Sequence, residues 1–344
     1  MKITMALGAA ISALCISTAA LAMDADKEKA LYEAAKQEGS LTWYTAQFDQ
    51  NMTAVIGNAF SEKYPGIKVN GIKATAQVSF QRLLLEIKAG QPLADVFSST
   101  DVSQFPQLKG MGALEAYKPA NESEIIPEYR NLDPEGYYTT TLVSLIGIVY
   151  NTDKVSEADV PKNWTDLTDA AWAGKGAYGD PNYSGMVGVW TVAMADKYGW
   201  DFFEKLAKTD PQIGRSIDDA VTLLNSGERL VGIGDPSTAL QSAAKGNPVG
   251  VVYPSDGTVA VKFPSAILKG SKSPNAAKLF MEFLLSKDVM KIAGEAFLPS
   301  IRPDVTPSSG TKTLDDLRVI APTPEDVAAR VAGNREKWRD TFGM

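Results

Sequence analysis

Tyr138-Thr-Thr-Thr-Leu-Val-Ser-Leu-Ile-Gly-Ile-Val-Tyr150 is a long strand-like run of β-branched, apolar and aromatic residues. A strand of that length reaches from one lobe of a protein into another. On its N-terminal side the pattern alternates. Residues 25–38 read as an amphipathic helix ending at Gly39, and Leu41-Thr-Trp-Tyr-Thr45 reads as a buried strand. Residues 52–64 are helical, with Val55, Ile56, Phe60 and Tyr64 at helical spacing. Gly66–Ile72 returns as a strand, Ser79 is placed to cap a helix, and Ala94-Asp-Val-Phe97 is a further strand. On the C-terminal side the alternation restarts. A helix is expected near 163–172, a strand near 176–185, helices near 186–208 and 216–226, and a strand at Leu230–Ile233. Val249–Tyr253 and Val259–Phe263 form a second apolar stretch able to carry the chain back. The tail holds two more helices, the last opened by Thr323-Pro-Glu-Asp, with Val327, Val331, Trp338 and Phe342 as its buried face. Strands alternating with helices on both sides of one crossing strand specify an α/β fold with mostly parallel sheets.

The N-terminal end sets a compartment. Lys2, the apolar run from Met5 to Leu21 and the small-x-small triplet Ala20-Leu21-Ala22 read as a secretory signal peptide over residues 1–22, cleaved before Met23. A membrane anchor is the alternative, but the run is short and rich in Ala, Gly and Ser. The single cysteine, Cys15, falls inside it, so the mature chain has no disulfide and no thiol nucleophile. A chain exported without cysteines suits a bacterial periplasm.

Composition excludes several functions. With no histidine in 344 residues, Ser-His-Asp hydrolases and histidine-ligated zinc hydrolases are ruled out. A net charge of −7 without a basic stripe is unsuited to nucleic acid. An enzyme using a carboxylate pair remains as another class, although no recognisable motif spaces such a pair. A ligand-sensing receptor is a third.

A series of fragments carries a resemblance. It runs Ile148-Val-Tyr-Asn-Thr-Asp-Lys-Val155, Pro161-Lys-Asn-Trp164-Thr-Asp-Leu167, Trp172-Ala-Gly-Lys175, Gly179-Asp-Pro-Asn-Tyr-Ser-Gly185 and Pro274 to Lys287. In this order and spacing the chain resembles the extracellular solute-binding proteins of ABC importers, in the group containing ferric-iron, phosphonate and sugar-phosphate binders. The resemblance implies a two-lobe, type II-like periplasmic-binding-protein fold with hinge strands and a central ligand cleft. It also implies a soluble monomer that hands a small-molecule ligand to an inner-membrane ABC permease, with no cofactor and no resident metal. The lobes are expected as 23–140 plus 260–300 and 141–259 plus 301–344, hinged near 141–147 and 253–261.

Open α/β sheets bind ligands beyond the carboxyl ends of their strands. That rule selects Thr45 and Gln47; Ser98, Ser99 and Thr100; Asn182, Tyr183, Ser184 and Gly185; Asp235, Ser237 and Thr238; and Tyr253 with Asp256. Hydroxyls dominate, and several precede helices, where backbone amides suit an oxyanion. Each alone also reads as an N-cap or turn former. Asp180 before Pro181 reads as a cap, and Arg302 as a surface ion pair. Ferric-iron members of the group carry adjacent tyrosines where this chain has Asp235-Pro-Ser-Thr238, and the adjacent pair Tyr137-Tyr138 lies elsewhere. The expected ligand is therefore a small anion or zwitterion, a phosphonate such as 2-aminoethylphosphonate or a phosphate ester, with ferric iron second. An amine on it is expected to meet Asp256 or Asp235.

Overall fold

The computed structural model describes residues 23–308 and 310–344, so the expected signal peptide lies outside the described residues. The strands are β1 (Ser40–Thr45), β2 (Lys68–Lys73), β3 (Val96–Ser98), β4 (Leu114–Glu115), β5 (Thr139–Asn151), β6 (Gly176–Gly179), β7 (Gln212–Gly214), β8 (Val231–Gly234), β9 (Val249–Val252), β10 (Thr258–Leu268) and β11 (Val319–Ile320). The helices are α1 (Ala25–Glu38), α2 (Gln50–Lys63), α3 (Ala76–Lys88), α4 (Gln104–Gly110), α5 (Gly185–Tyr198), α6 (Asp201–Ala207), α7 (Asp218–Asn225), α8 (Pro236–Ala244), α9 (Pro274–Leu284), α10 (Lys287–Glu295) and α11 (Pro324–Phe342).

All thirteen residues of β5 are buried. Its apolar residues on both faces are therefore covered, as a continuous apolar run requires. β5 also changes partners along its length. Through Ile146 it pairs antiparallel with β10; from Gly147 onward it pairs with β8, and from Ile148 also with β9. The strand order is β2-β1-β3-β10-β5-β8-β6-β7. β1 is parallel to β2 and β3, and β6 is parallel to β7 and β8. One lobe is thus built on β2, β1, β3 and β10, the other on β8, β6 and β7, with β5 common to both. Within the 301–344 stretch, β11 pairs with β10 while α11 packs on α5 and α6.

Each lobe has its own aromatic centre. In the first, Trp43, Phe60, Phe280 and Phe283 meet edge-to-face or stacked, at centroid distances of 5.1 to 6.3 Å. In the second, Trp190 sits among Trp164, Tyr178, Phe202, Phe203 and Trp338. Such pairs add about 0.5–1.5 kcal/mol each beyond the area they bury. Trp190 lies on α5, whose residues from Gly185 to Met194 are all buried. A helix apolar all round needs neighbours on every side, and β6, α6 and α11 supply them.

Three local expectations change. The stretch near 163–172 forms two short 3-10 turns, because Asn163 caps one and Asp169 ends it and caps the next. The 274–287 run breaks in two, because Ser286 accepts a hydrogen bond from Val289 N–H and starts a new helix. Ser79 is not a cap: α3 begins earlier, after Thr75.

Candidate functional site

Residues from both lobes enclose a cavity of about 510 Å³. From the first lobe come Gln47, Phe48, Asp49, Lys73, Thr100 and Phe263; from the second come Met186, Asp218, Asp235, Ser237, Thr238 and Lys245. Contacts between the lobes lie on two sides of it. Gln241 Nε2 donates to Ala296 C=O at 3.1 Å. Arg335, on α11, donates from Nη2 to Asp101 Oδ2 at 2.8 Å and from Nε to Pro181 C=O at 2.8 Å.

Three carboxylates face this space, each at a helix start. Asp49 caps α2, accepting from Met52 N–H at 2.7 Å. Asp218 is the first residue of α7, and Asp235 caps α8. Their placement satisfies helix dipoles, and it also occupies the donors that an oxyanion would need. Ser237 N–H and Ser237 Oγ–H both donate to Asp235 Oδ1 at 2.8 Å. Ser144 Oγ–H donates to Asp235 Oδ2 at 2.6 Å, and Thr238 Oγ–H donates to Asp218 Oδ1 at 2.9 Å. The start of α8 therefore carries its own anion.

Burial pushes the Asp235 carboxyl up to about 6, aided by the negative Asp218 and opposed by the hydrogen bonds from Ser144 and Ser237. Asp218 is also raised, first by the protein around it, then by Asp219 and Asp49; Thr238 and Lys73 pull it down. Asp218 is nevertheless wetted by the open cleft, and water there offsets part of that rise. Lys73, from the end of β2, faces Asp218 from the opposite lobe.

Of the residues selected from sequence, Gln47, Thr100, Asp235, Ser237 and Thr238 line the cavity. The others take structural positions. Thr45 Oγ accepts from Gln47 N–H. Ser98 is fully buried, accepting from Trp43 Nε1–H at 2.8 Å and bonded to Ser265 Oγ at 2.6 Å. Ser99 Oγ–H donates to Gln104 Oε1. Asn182 bridges Asp180 and Arg339, and Tyr183 lies under the Arg215 guanidinium on the exterior. Ser184 caps α5. Gly185 touches the opposite lobe rather than the cavity: a Cβ there would lie 2.8 Å from the backbone of Thr100 and Asp101. Tyr253 packs against the core between β9 and β10. Asp256 is turned away, accepting from Trp164 N–H and from the Tyr198 hydroxyl, so it is not available to a ligand amine. Asp180 is a buried cap of its own loop. Arg302 is buried rather than superficial, held by Asp304, Glu124 and the Leu285 carbonyl.

Asp49, Lys73, Asp218 and Lys245 were not selected from sequence. Asp49 and Lys73 follow the same carboxyl-end rule, one just beyond the loop read from β1 and one at the end of β2. Asp218 follows β7, whose three residues carry too little pattern to be read as a strand.

Residues 91–316 match the family model described as bacterial extracellular solute-binding protein. The chain belongs to this family. A probable ABC transporter periplasmic-binding protein of Sinorhizobium fredii is 24% identical over 315 residues, covering 87% of this chain and 84% of that one. Among solved structures, the periplasmic binding protein AfuA of Actinobacillus pleuropneumoniae, with fructose-6-phosphate bound, superposes with a TM-score of 0.79 at 25% identity. That match covers 89% of this chain and 99% of AfuA. Iron-bound HitA of Pseudomonas aeruginosa superposes with a TM-score of 0.76 at 22% identity, covering 87% and 99%. Both neighbours have the two-lobe fold, and the members of this family are solute-binding proteins.

Proposed function

We propose that this chain is the periplasmic substrate-binding component of an ABC importer, that it captures a small zwitterion between its lobes, and that it passes it to the membrane permease. The observation that carries the zwitterion reading is the charge arrangement of the cavity. Lys73 on one lobe faces Asp218 on the other, and the hydroxyls of Ser237 and Thr238 are already bonded to carboxylates. A pure anion entering here meets Asp49, Asp218 and Asp235 at close quarters. A pure cation leaves Lys73 and Lys245 unanswered. A solute with one ammonium and one acid group answers both, and an aminophosphonate such as 2-aminoethylphosphonate is the favoured class.

AfuA supports a phosphate ester as the second candidate, with Thr100 and Lys73 as its donors. Ferric iron ranks below both. No tyrosine is among the residues lining the cavity, and no three acidic groups among the described residues are close enough to hold a metal ion.

A thermal-shift screen tests the reading. It compares 2-aminoethylphosphonate, alkylphosphonates, fructose-6-phosphate, simple amines and Fe(III). The zwitterion is expected to give the largest rise, about 2.7 kcal/mol of added stability at a hundred times its Kd. A larger shift with Fe(III), accompanied by phenolate charge-transfer colour, or with a phosphate ester that has no amine, contradicts it.

A further inference from the structure

The cavity is not uniform with depth. Phe48, Met186, Phe263 and Leu298 line it at 2–7% exposure, and the polar Gln47, Ser237, Ser242 and Asp235 line it at 5–8%. The other charged residues of the lining, Asp49, Lys73, Asp218 and Lys245, are exposed to solvent. The buried lining thus holds a single ionisable group, Asp235, among apolar and neutral polar side chains, and the mouth is charged and wet.

The hydrogen bonds of Asp235 are incomplete. Its donors are neutral: two from Ser237 to Oδ1 and one from Ser144 to Oδ2. An ionised carboxylate offers about four acceptor positions, so one on Oδ2 remains. The charge that acts on it most is Asp218, of the same sign. A buried carboxylate held only by neutral donors is costly until a cation joins it.

We propose that the solute enters cation-first. Its ammonium takes the open position on Asp235 at the floor, its carbon chain lies against Phe48, Met186, Phe263 and Leu298, and its acid group stays at the mouth with Lys73 and Lys245. This rests on the zwitterion reading and deepens it by fixing the orientation of the solute. Asp235 then sets specificity for the amine, and Lys73 contributes affinity for the acid.

Titration calorimetry tests this with 2-aminoethylphosphonate, ethylphosphonate and glucosamine 6-phosphate, against the native protein, Asp235→Asn and Lys73→Ala. Native protein is expected to prefer 2-aminoethylphosphonate over ethylphosphonate by about 30-fold or more, the scale of one charged, desolvated hydrogen bond. Asp235→Asn is expected to bring that ratio below about threefold, as loss of that hydrogen bond implies. Lys73→Ala is expected to weaken both phosphonates alike and leave the ratio in place. Glucosamine 6-phosphate carries an amine and an acid as well, and its affinity is expected to fall in both variants. Melting curves establish that each variant is folded. Should Asp235→Asn not fold, the native ratio at pH 5 against pH 8 replaces it, and a smaller amine preference at pH 5 is expected. Binding with a ratio unchanged in Asp235→Asn, or unchanged with pH in its place, overturns the cation-first orientation and leaves the zwitterion reading standing. Binding of neither 2-aminoethylphosphonate nor glucosamine 6-phosphate removes both.

Discussion

Asp235→Asn is expected to raise the melting temperature of the ligand-free protein at pH 8. The folded protein holds the proton of Asp235 up to about pH 6, above the ordinary 3.8. A carboxyl raised in this way gives its full stability below about pH 4, where it is protonated both folded and unfolded. That stability is lost as pH rises through about 6 and stays lost above it. The difference of roughly two pH units corresponds to about 3 kcal/mol at pH 8. Asparagine keeps an acceptor for Ser237 N–H and Oγ–H but offers Ser144 a donor in place of an acceptor, which costs about 0.5–1.5 kcal/mol. The net gain is about 2 kcal/mol, or a few degrees in a chain of this size. The gain is expected to shrink toward pH 4. Melting curves of both proteins at pH 8 and pH 4.5 check it, and a variant less stable than native at pH 8 would show that Asp235 stabilises the empty fold. A cleft acid that weakens the fold and serves only the ligand is an instance of stability exchanged for function.

Gly185→Ala is expected to weaken ligand binding at least about tenfold while changing the stability of the ligand-free protein little. Gly185 opens α5 in the second lobe, and its Cα faces the Thr100–Asp101 backbone of the first. A methyl group there would sit 2.8 Å from Thr100 C and O and Asp101 N. All three are main-chain atoms that cannot turn aside, so the lobes must part by more than half an ångström to reach ordinary contact distance. The Arg335–Asp101 bond, 2.8 Å long at the same seam, is stretched with them. A ligand held from both sides then loses about one charged hydrogen bond, 1.5–3 kcal/mol. Calorimetry with 2-aminoethylphosphonate reads this directly. An unchanged Kd would mean that binding does not need the lobes this close.

The fold was more legible in the sequence than the site. The run 138–150 could be read as a lobe-crossing strand because both of its faces are apolar, and no surface strand needs that. Around it, short strands and helices followed from period alone. The chain 163–172 misled because its apolar spacing is helical while its Asn and Asp residues bond backward into separate turns. The hydroxyl-rich loops misled for a different reason. Ser98 ends β3, and Ser99 and Ser184 lie beyond strand ends, but burial and local partners decide whether a hydroxyl is free, and neither can be read from spacing. Ser98 is claimed by Trp43 and Ser265, each far from it in the chain. Asp235 was legible as a loop acid; its place in the buried lining of the cavity beside Phe48, Phe263 and Leu298 depends on three distant segments of the chain.

Small-angle scattering from the native protein with and without saturating 2-aminoethylphosphonate tests capture between the lobes most directly. β5 changes partners at Ile146–Gly147, the chain returns through the short link from β9 to β10, and it crosses once more between β11 and α11. We propose that these crossings act as a hinge, and closure about it is expected to lower the radius of gyration and remove the long-distance shoulder of an open cleft. A radius of gyration unchanged by ligand that calorimetry shows to be bound would place the solute outside the closing cleft.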